Sequence, residues 1–196
     1  MIDSHFRTFY QSLLVDPLIV RRPEIKKIPP HFLTLFGCFL GILVLPLLAY
    51  GMTSLALFCI LLSGYLDTLD GTIARISHRA SPLGAVLDIF CDRIVEFSII
   101  LGLYFADPES RGTLSLFMLG SVLMCVTSFL AVGIFVKNKS NKSFHYSPGL
   151  IERGEAFSFF ILMVLFPSFF PALSLTFSAF VFLSSLIRIY EFSLNN

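Results

Sequence analysis

The sequence predicts an all-α, polytopic integral membrane protein: six transmembrane helices behind an N-terminal interfacial amphipathic helix, in a single domain spanning residues 1–196. Three observations predict it. Hydrophobic residues make up 56% of the chain and charged residues only 14%, and several long stretches carry no charge at all. Prolines, glycines and short charged segments divide these stretches into pieces of spanning length. Cations gather in alternate connections, as they do in polytopic membrane proteins. The net charge of +1 provides no attraction for nucleic acid, and none is expected as a partner.

Residues 1–31 form a polar approach. Phe6, Phe9, Tyr10, Leu13, Leu14 and Pro17 make one apolar stripe, with Asp3, Arg7 and Gln11 off it, the pattern of a helix lying on the membrane surface. No long apolar core or small-residue cleavage site marks a signal peptide. Arg21, Arg22, Lys26 and Lys27 then form a basic collar closed by Pro29 and Pro30. The first span is expected from Phe32 to Tyr50, with Gly51 opening a tight turn. The second covers Ser54 to Ala74, and residues 75–82 form a short polar loop. The third runs from Leu83 to Tyr104, and a connection over Asp107–Gly112 leads to the fourth, Thr113 to Val136. After the basic segment Lys137, Lys139, Lys142, a fifth span begins near Ala156. Pro167 and Pro171 bracket the next turn, and Pro171 suits the first turn of a sixth span ending near Tyr190.

Odd and even connections differ sharply in charge. One side collects Arg7, Arg21, Arg22, Lys26, Lys27, Arg75, Arg79, Lys137, Lys139, Lys142 and Arg153; the other holds Arg111. The crowded side is therefore expected to be cytoplasmic, with both termini on it. Cys38, Cys59, Cys91 and Cys125 lie scattered in apolar stretches, so reduced, buried thiols are expected rather than a disulfide frame or a zinc site.

The second and third spans carry the chemistry. Asp67 and Asp70 are spaced i, i+3, and Asp88 and Asp92 are spaced i, i+4, so each pair shares a helix face. Gly71 and Ala74 continue the first face, where bulky apolar residues usually stand. Gly84 lies one turn before Asp88. Carboxylates facing one another at membrane depth must be protonated, paired with bases or bound to cations. Arg75 and Arg93 are too few to neutralise four acids, and an oxygen-only ligand set suits Mg²⁺ or Mn²⁺. Four carboxylates have the capacity for two ions roughly 3.5–4 Å apart, an arrangement used in displacement at phosphorus. Glu96, one turn past Asp92, is expected to pair with Arg93 or another helix rather than to ligate.

The run D67-x2-D70-G71-x2-A74-R75-x8-G84-x3-D88-x3-D92 resembles the motif of the CDP-alcohol phosphatidyltransferases at every fixed position. The first-span start, P30-H-F-L-T34-L-F-G37, is similar to the P-N-x-L-T-x-x-G of that family, with His31 in place of Asn. The resemblance implies an enzyme that transfers a phosphatidyl group from CDP-diacylglycerol to the hydroxyl of a small polar alcohol, releasing CMP. It implies that Asp67, Asp70 and Asp88 ligate metal, and that Asp92 completes the metal site and acts as the general base. Gly71 and Ala74 would leave room for cytidine, Asp67 and Arg75 would help hold the nucleotide and its pyrophosphate, and Gly84 would lie near the nucleotide. A homodimer is implied in the same way. The loop charges, in turn, put both acid pairs toward the cytoplasmic ends of spans two and three, so the active site is expected to face the cytoplasm from a bacterial inner (cytoplasmic) membrane.

The acceptor is read from weaker signals. G149-L-I-E-R153-G-E155 is similar to a stretch of phosphatidylinositol-phosphate synthases, although Ala156 stands where that pattern has a second arginine. The third span lacks the L-D-P-x-A-D-K pattern of glycerophosphate-using relatives. Inositol phosphate or inositol is therefore expected, with glycerol 3-phosphate, serine or an aminoalcohol as alternatives. Arg153, Arg79 and Lys137 are the candidate acceptor-binding cations. Two other classes fit less well. A divalent-cation transporter would spread its acids along a pathway, and an aspartate-rich prenyltransferase would need two separate acidic motifs and more spans.

Overall fold

The computed structural model describes Glu24 and residues 28–135, 150–151 and 153–194. Six helices and one 3₁₀ turn account for most of them: α1 Pro30–Ala49, α2 Thr53–Ile76, α3 Pro82–Ala106, α4 Pro108–Phe135, α5 Arg153–Leu165, the 3₁₀ turn Pro167–Phe169, and α6 Phe170–Leu194. The interfacial helix expected within residues 1–31 lies almost wholly outside the described residues, as does the basic segment 137–142.

The six helices follow the six expected spans, and the protein is an all-α polytopic membrane protein. Helices α1, α2 and α4, and the stretch Pro167–Leu194, are each long and apolar enough to cross a bilayer. Helix α3 matches them in length at 25 residues but carries Asp88, Asp92, Arg93 and Glu96. Helix α5 has 13 residues, about 20 Å of helix, because Pro167 stops it. It also starts three residues earlier than expected, at Arg153.

Two connections are shorter than the sequence suggested. Arg75 belongs to the last turn of α2, which runs to Ile76. Between α3 and α4 only Asp107 intervenes. Pro108 opens α4 directly, in a position where its missing N–H costs nothing. Asp107 Oδ1 accepts the Ser110 N–H at 3.4 Å, and its Oδ2 accepts the Ser110 hydroxyl. These hydrogen bonds hold the Asp107 carboxyl below its ordinary range.

The ends of α1 and α2 close in the same way. Met52 N–H reaches Leu47 O at 2.7 Å and Gly51 N–H reaches Leu48 O at 3.0 Å; likewise Arg79 N–H reaches Ala74 O at 3.0 Å and His78 N–H reaches Arg75 O at 3.3 Å. This double bond pattern needs a left-handed residue just past the helix. Gly51 supplies it at φ 73°, and His78 supplies it at φ 53°.

The chain forms two compact units, Met1–Gly102 and Leu103–Asn196. In the first, glycines let α1 come close to its neighbours. A β-carbon on Gly37 would lie 3.4 Å from Leu66 Cβ, and one on Gly102 would lie 3.0 Å from Leu45 Cα. Ser63 Oγ donates to Gly37 O at 2.8 Å, tying α2 to α1. Buried Val44, Ile60, Ile73 and Ile99 fill the interior, whereas Phe32, Phe39, Phe58 and Phe90 point outward, as lipid-facing side chains do.

In the second unit Phe160 of α5 packs against Phe177 of α6, ring centroids 5.3 Å apart. Arg188 of α6, only 6% exposed, donates to Cys125 O at 2.9 Å and Ser128 Oγ at 3.0 Å on α4. Arg111 donates to Leu103 O at 3.2 Å and lies 4.7 Å from the Phe170 ring centroid. It thereby satisfies a carbonyl at the end of α3 that has no partner within its own helix. All four cysteines are free thiols; Cys38, Cys59 and Cys91 are buried.

Candidate active site

Asp67 and Asp70 stand on α2 and Asp88 on α3. One carboxylate oxygen from each lies within 4.8 Å of the others, the spacing of a metal-binding group. Helix α2 brings its two acids together by i, i+3 spacing, and the packing of the first unit brings Asp88 to them. Asp70 is buried, at 5% exposed, and Asp67 and Asp88 are half-buried. Asp92, also half-buried, follows one turn after Asp88 and stands outside this triad. Three hard oxygen donors converging in an apolar setting fit a divalent cation and fit soft metals poorly.

The two motif glycines differ in what surrounds them. A β-carbon on Gly71 would meet nothing nearer than Arg75 Nη1 at 3.7 Å, an ordinary contact with a flexible side chain. Protein packing therefore does not require glycine there, and the space beside it suits a ligand. A β-carbon on Gly84 would lie 3.0 Å from His31 Cε1 and 3.3 Å from Ser81 Oγ. A side chain at Gly84 would therefore press on the His31 ring and the Ser81 hydroxyl. The Gly84 N–H also donates to Ser81 Oγ at 3.1 Å. Ala74 is half-buried, and Arg75 is exposed, with Nη2 donating to Thr72 Oγ1 at 3.2 Å.

Helix α1 supplies two groups from outside the acidic motif, both in the P30-H-F-L-T34-L-F-G37 start. The Thr34 hydroxyl donates to Asp70 Oδ2, and the His31 ring fills the hollow at Gly84. Their i, i+3 spacing in an apolar span is the signal that links them. Glu96 pairs with Arg93 at 2.7 Å, one of the two partnerships expected for it.

Of the acceptor candidates, Arg79 is exposed just beyond α2, and Lys137 lies outside the described residues. Arg153 opens α5 in the second unit, its guanidinium carbon 5.6 Å from the Phe157 ring centroid. The segment leading to it is held from α6. Ser184 Oγ accepts the N–H groups of Leu150 at 2.9 Å and Ile151 at 3.2 Å while donating to Phe180 O at 2.9 Å. A serine in an apolar helix, 34 residues from Leu150, gives no sequence sign of this task.

Residues 27–189 match the family described as CDP-alcohol phosphatidyltransferase. The chain is 32% identical over 198 residues to the inner membrane protein YnjF of Escherichia coli K12, covering 97% of this chain and 95% of that one. It is 30% identical over 169 residues to the archaetidylinositol phosphate synthase of Aeropyrum pernix, covering 84% and 79%. A crystal structure of the Mycobacterium tuberculosis phosphatidylinositol phosphate synthase with CDP-DAG bound shares the fold, with a TM-score of 0.59, 23% identity and 84% of each chain covered.

Proposed function

The chain belongs to the CDP-alcohol phosphatidyltransferase family, and we propose that it moves the phosphatidyl group of CDP-diacylglycerol onto inositol phosphate, releasing CMP. The carboxylate triad of Asp67, Asp70 and Asp88 carries this reading. These residues would hold the divalent metal that the family uses, two ions of Mg²⁺ or Mn²⁺, with Asp92 closing the set. Such ions, when bound, neutralise phosphate oxygens and stabilise CMP as the leaving group.

The remaining work falls to the chain itself. The open face at Gly71 and Ala74 admits the cytidine, and Asp67 and Arg75 fix the nucleotide and its pyrophosphate. Asp92 takes the proton from the acceptor hydroxyl as that oxygen bonds to the lipid-linked phosphorus. The bond from that phosphorus to the CMP oxygen breaks, so no protein nucleophile is required. Arg153, with Arg79 and Lys137, grips the acceptor's phosphate; a guanidinium can do so through two parallel hydrogen bonds. Residues 1–196 act as one membrane domain, as a homodimer, with the acids opening toward the cytoplasm, the side the basic loops favour.

The inositol-phosphate assignment draws on the archaetidylinositol phosphate synthase likeness and on the G-L-I-E-R153 stretch. Purified protein given CDP-diacylglycerol, Mg²⁺ or Mn²⁺ and a panel of alcohols, with CMP release followed, tests it. Inositol phosphate should outpace inositol, glycerol 3-phosphate, serine and aminoalcohols. Efficient use of a neutral or zwitterionic alcohol alone would overturn the assignment. Family membership weighs against the transporter and prenyltransferase readings, and CMP release separates the enzyme from both.

A further inference from the structure

We propose that Thr34 is a positioning residue for the metal site: its hydroxyl sets the orientation of the Asp70 carboxylate. The inference rests on the reading of Asp67, Asp70 and Asp88 as metal ligands. Thr34 stands one turn into α1, 9% exposed, and Asp70 is 5% exposed, so bulk water has little access to orient that carboxylate. The Thr34 hydroxyl has a single proton and two acceptors in reach, Pro30 O at 3.2 Å and Asp70 Oδ2, which is closer. A charged acceptor is the stronger one, so the proton goes to Asp70. That bond occupies one lone pair on Oδ2 and restrains rotation of the carboxylate.

The reach from α1 is built in. One turn after Thr34, Gly37 brings the two helices together, with its would-be β-carbon 3.4 Å from Leu66 Cβ and its carbonyl accepting Ser63 Oγ at 2.8 Å. One turn before, His31 occupies the hollow at Gly84, one turn from Asp88. The first two turns of α1 therefore touch both helices that carry the acids. Groups that orient a ligand from behind typically change metal affinity 10- to 100-fold when lost.

The test measures Mn²⁺ binding by the purified full chain, by electron paramagnetic resonance of free Mn²⁺, alongside CMP release. Thr34→Val should raise the Mn²⁺ dissociation constant roughly 10- to 100-fold and raise the Mn²⁺ concentration for half-maximal turnover by the same factor, with kcat recovering at saturating Mn²⁺. Thr34→Ser, which keeps the hydroxyl, should bind Mn²⁺ like the wild type. Thr34→Ala removes the same group without placing a second methyl beside Asp70, and serves if the valine variant does not fold. Folded Thr34→Val or Thr34→Ala protein binding Mn²⁺ as the wild type does would overturn the inference, and so would a serine variant as weakened as the valine one. Asp70→Asn separates the two levels. If it leaves Mn²⁺ binding intact, the ligand reading fails and takes this inference with it; if it abolishes binding while loss of the hydroxyl does nothing, the Thr34 assignment alone is wrong.

Discussion

Gly41 on α1 lies so close to Val95 on α3 that a β-carbon at position 41 would stand 2.9 Å from the valine's own, and nearer still to its methyl groups. Val95 is 2% exposed, and a β-branched side chain has few rotamers to turn into. The two helices are thus held at a separation that only glycine permits, two turns from Asp88. Gly41→Ala should destabilise the protein by about 1–3 kcal/mol, the usual cost of overpacking, read as a lower unfolding temperature in detergent. Val95→Ala in the same chain should recover most of the loss. A Gly41→Ala protein as stable as wild type would mean that the helices separate freely.

Asp92 stands outside the triad, which predicts a division of labour among the four acids. Asp92→Asn should still bind CDP-diacylglycerol but lose turnover by roughly 10²- to 10⁴-fold, even at saturating Mn²⁺, the contribution of a general base. Asp67→Asn, Asp70→Asn and Asp88→Asn should lose Mn²⁺ binding and turnover together. Binding measurements on the four variants, each checked for folding, decide it. Wild-type turnover by Asp92→Asn at saturating metal would exclude the base role.

Arg153 and Ser184 should affect the acceptor and not the lipid nucleotide. Arg153→Lys should raise the acceptor KM roughly ten- to a hundred-fold, the scale of one charge-assisted contact worth about 1.5–3 kcal/mol, and leave the KM for CDP-diacylglycerol nearly unchanged. Ser184→Ala removes the acceptor of two backbone N–H groups just before Arg153 and should shift the same constant in the same direction by a smaller factor. Equal effects on both substrates would assign Arg153 a structural role, such as pairing with Glu155.

The matched ends of α1 and α2 predict a stabilising substitution. His78 holds the left-handed position that Gly51 holds at the other end, and a side chain there costs about 1–2 kcal/mol. His78→Gly should therefore raise stability by about 1 kcal/mol, less whatever the freer unfolded chain takes back. Gly51→Ala should lower it. Thermal unfolding of the two variants tests both signs, and a fall in stability on His78→Gly would show that the imidazole makes a contact worth more than the strain.

The spans, the chemistry-bearing helices and the family motif were all legible in the sequence. Charge-free runs of spanning length mark a membrane helix wherever they occur. The i, i+3 spacing of Asp67 and Asp70, and the i, i+4 spacing of Asp88 and Asp92, hold on any helix. Short-range geometry explains the errors as well. Asp107 and Pro108 begin α4 at once, and a left-handed His78 lets α2 keep Arg75 in its last turn. Neither is visible to a reading that takes polar residues as loop.

Other features were decided only by the tertiary structure. The gathering of Asp67, Asp70 and Asp88 into a triad, the filled hollow at Gly84 beside the open one at Gly71, and the hydrogen bond from Thr34 to Asp70 all depend on the distance and axial register between helices. Small residues such as Gly37 and Gly41 set that distance by what they lack. Periodicity along one helix carries the angle at which a side chain leaves it, but not how near its neighbour stands.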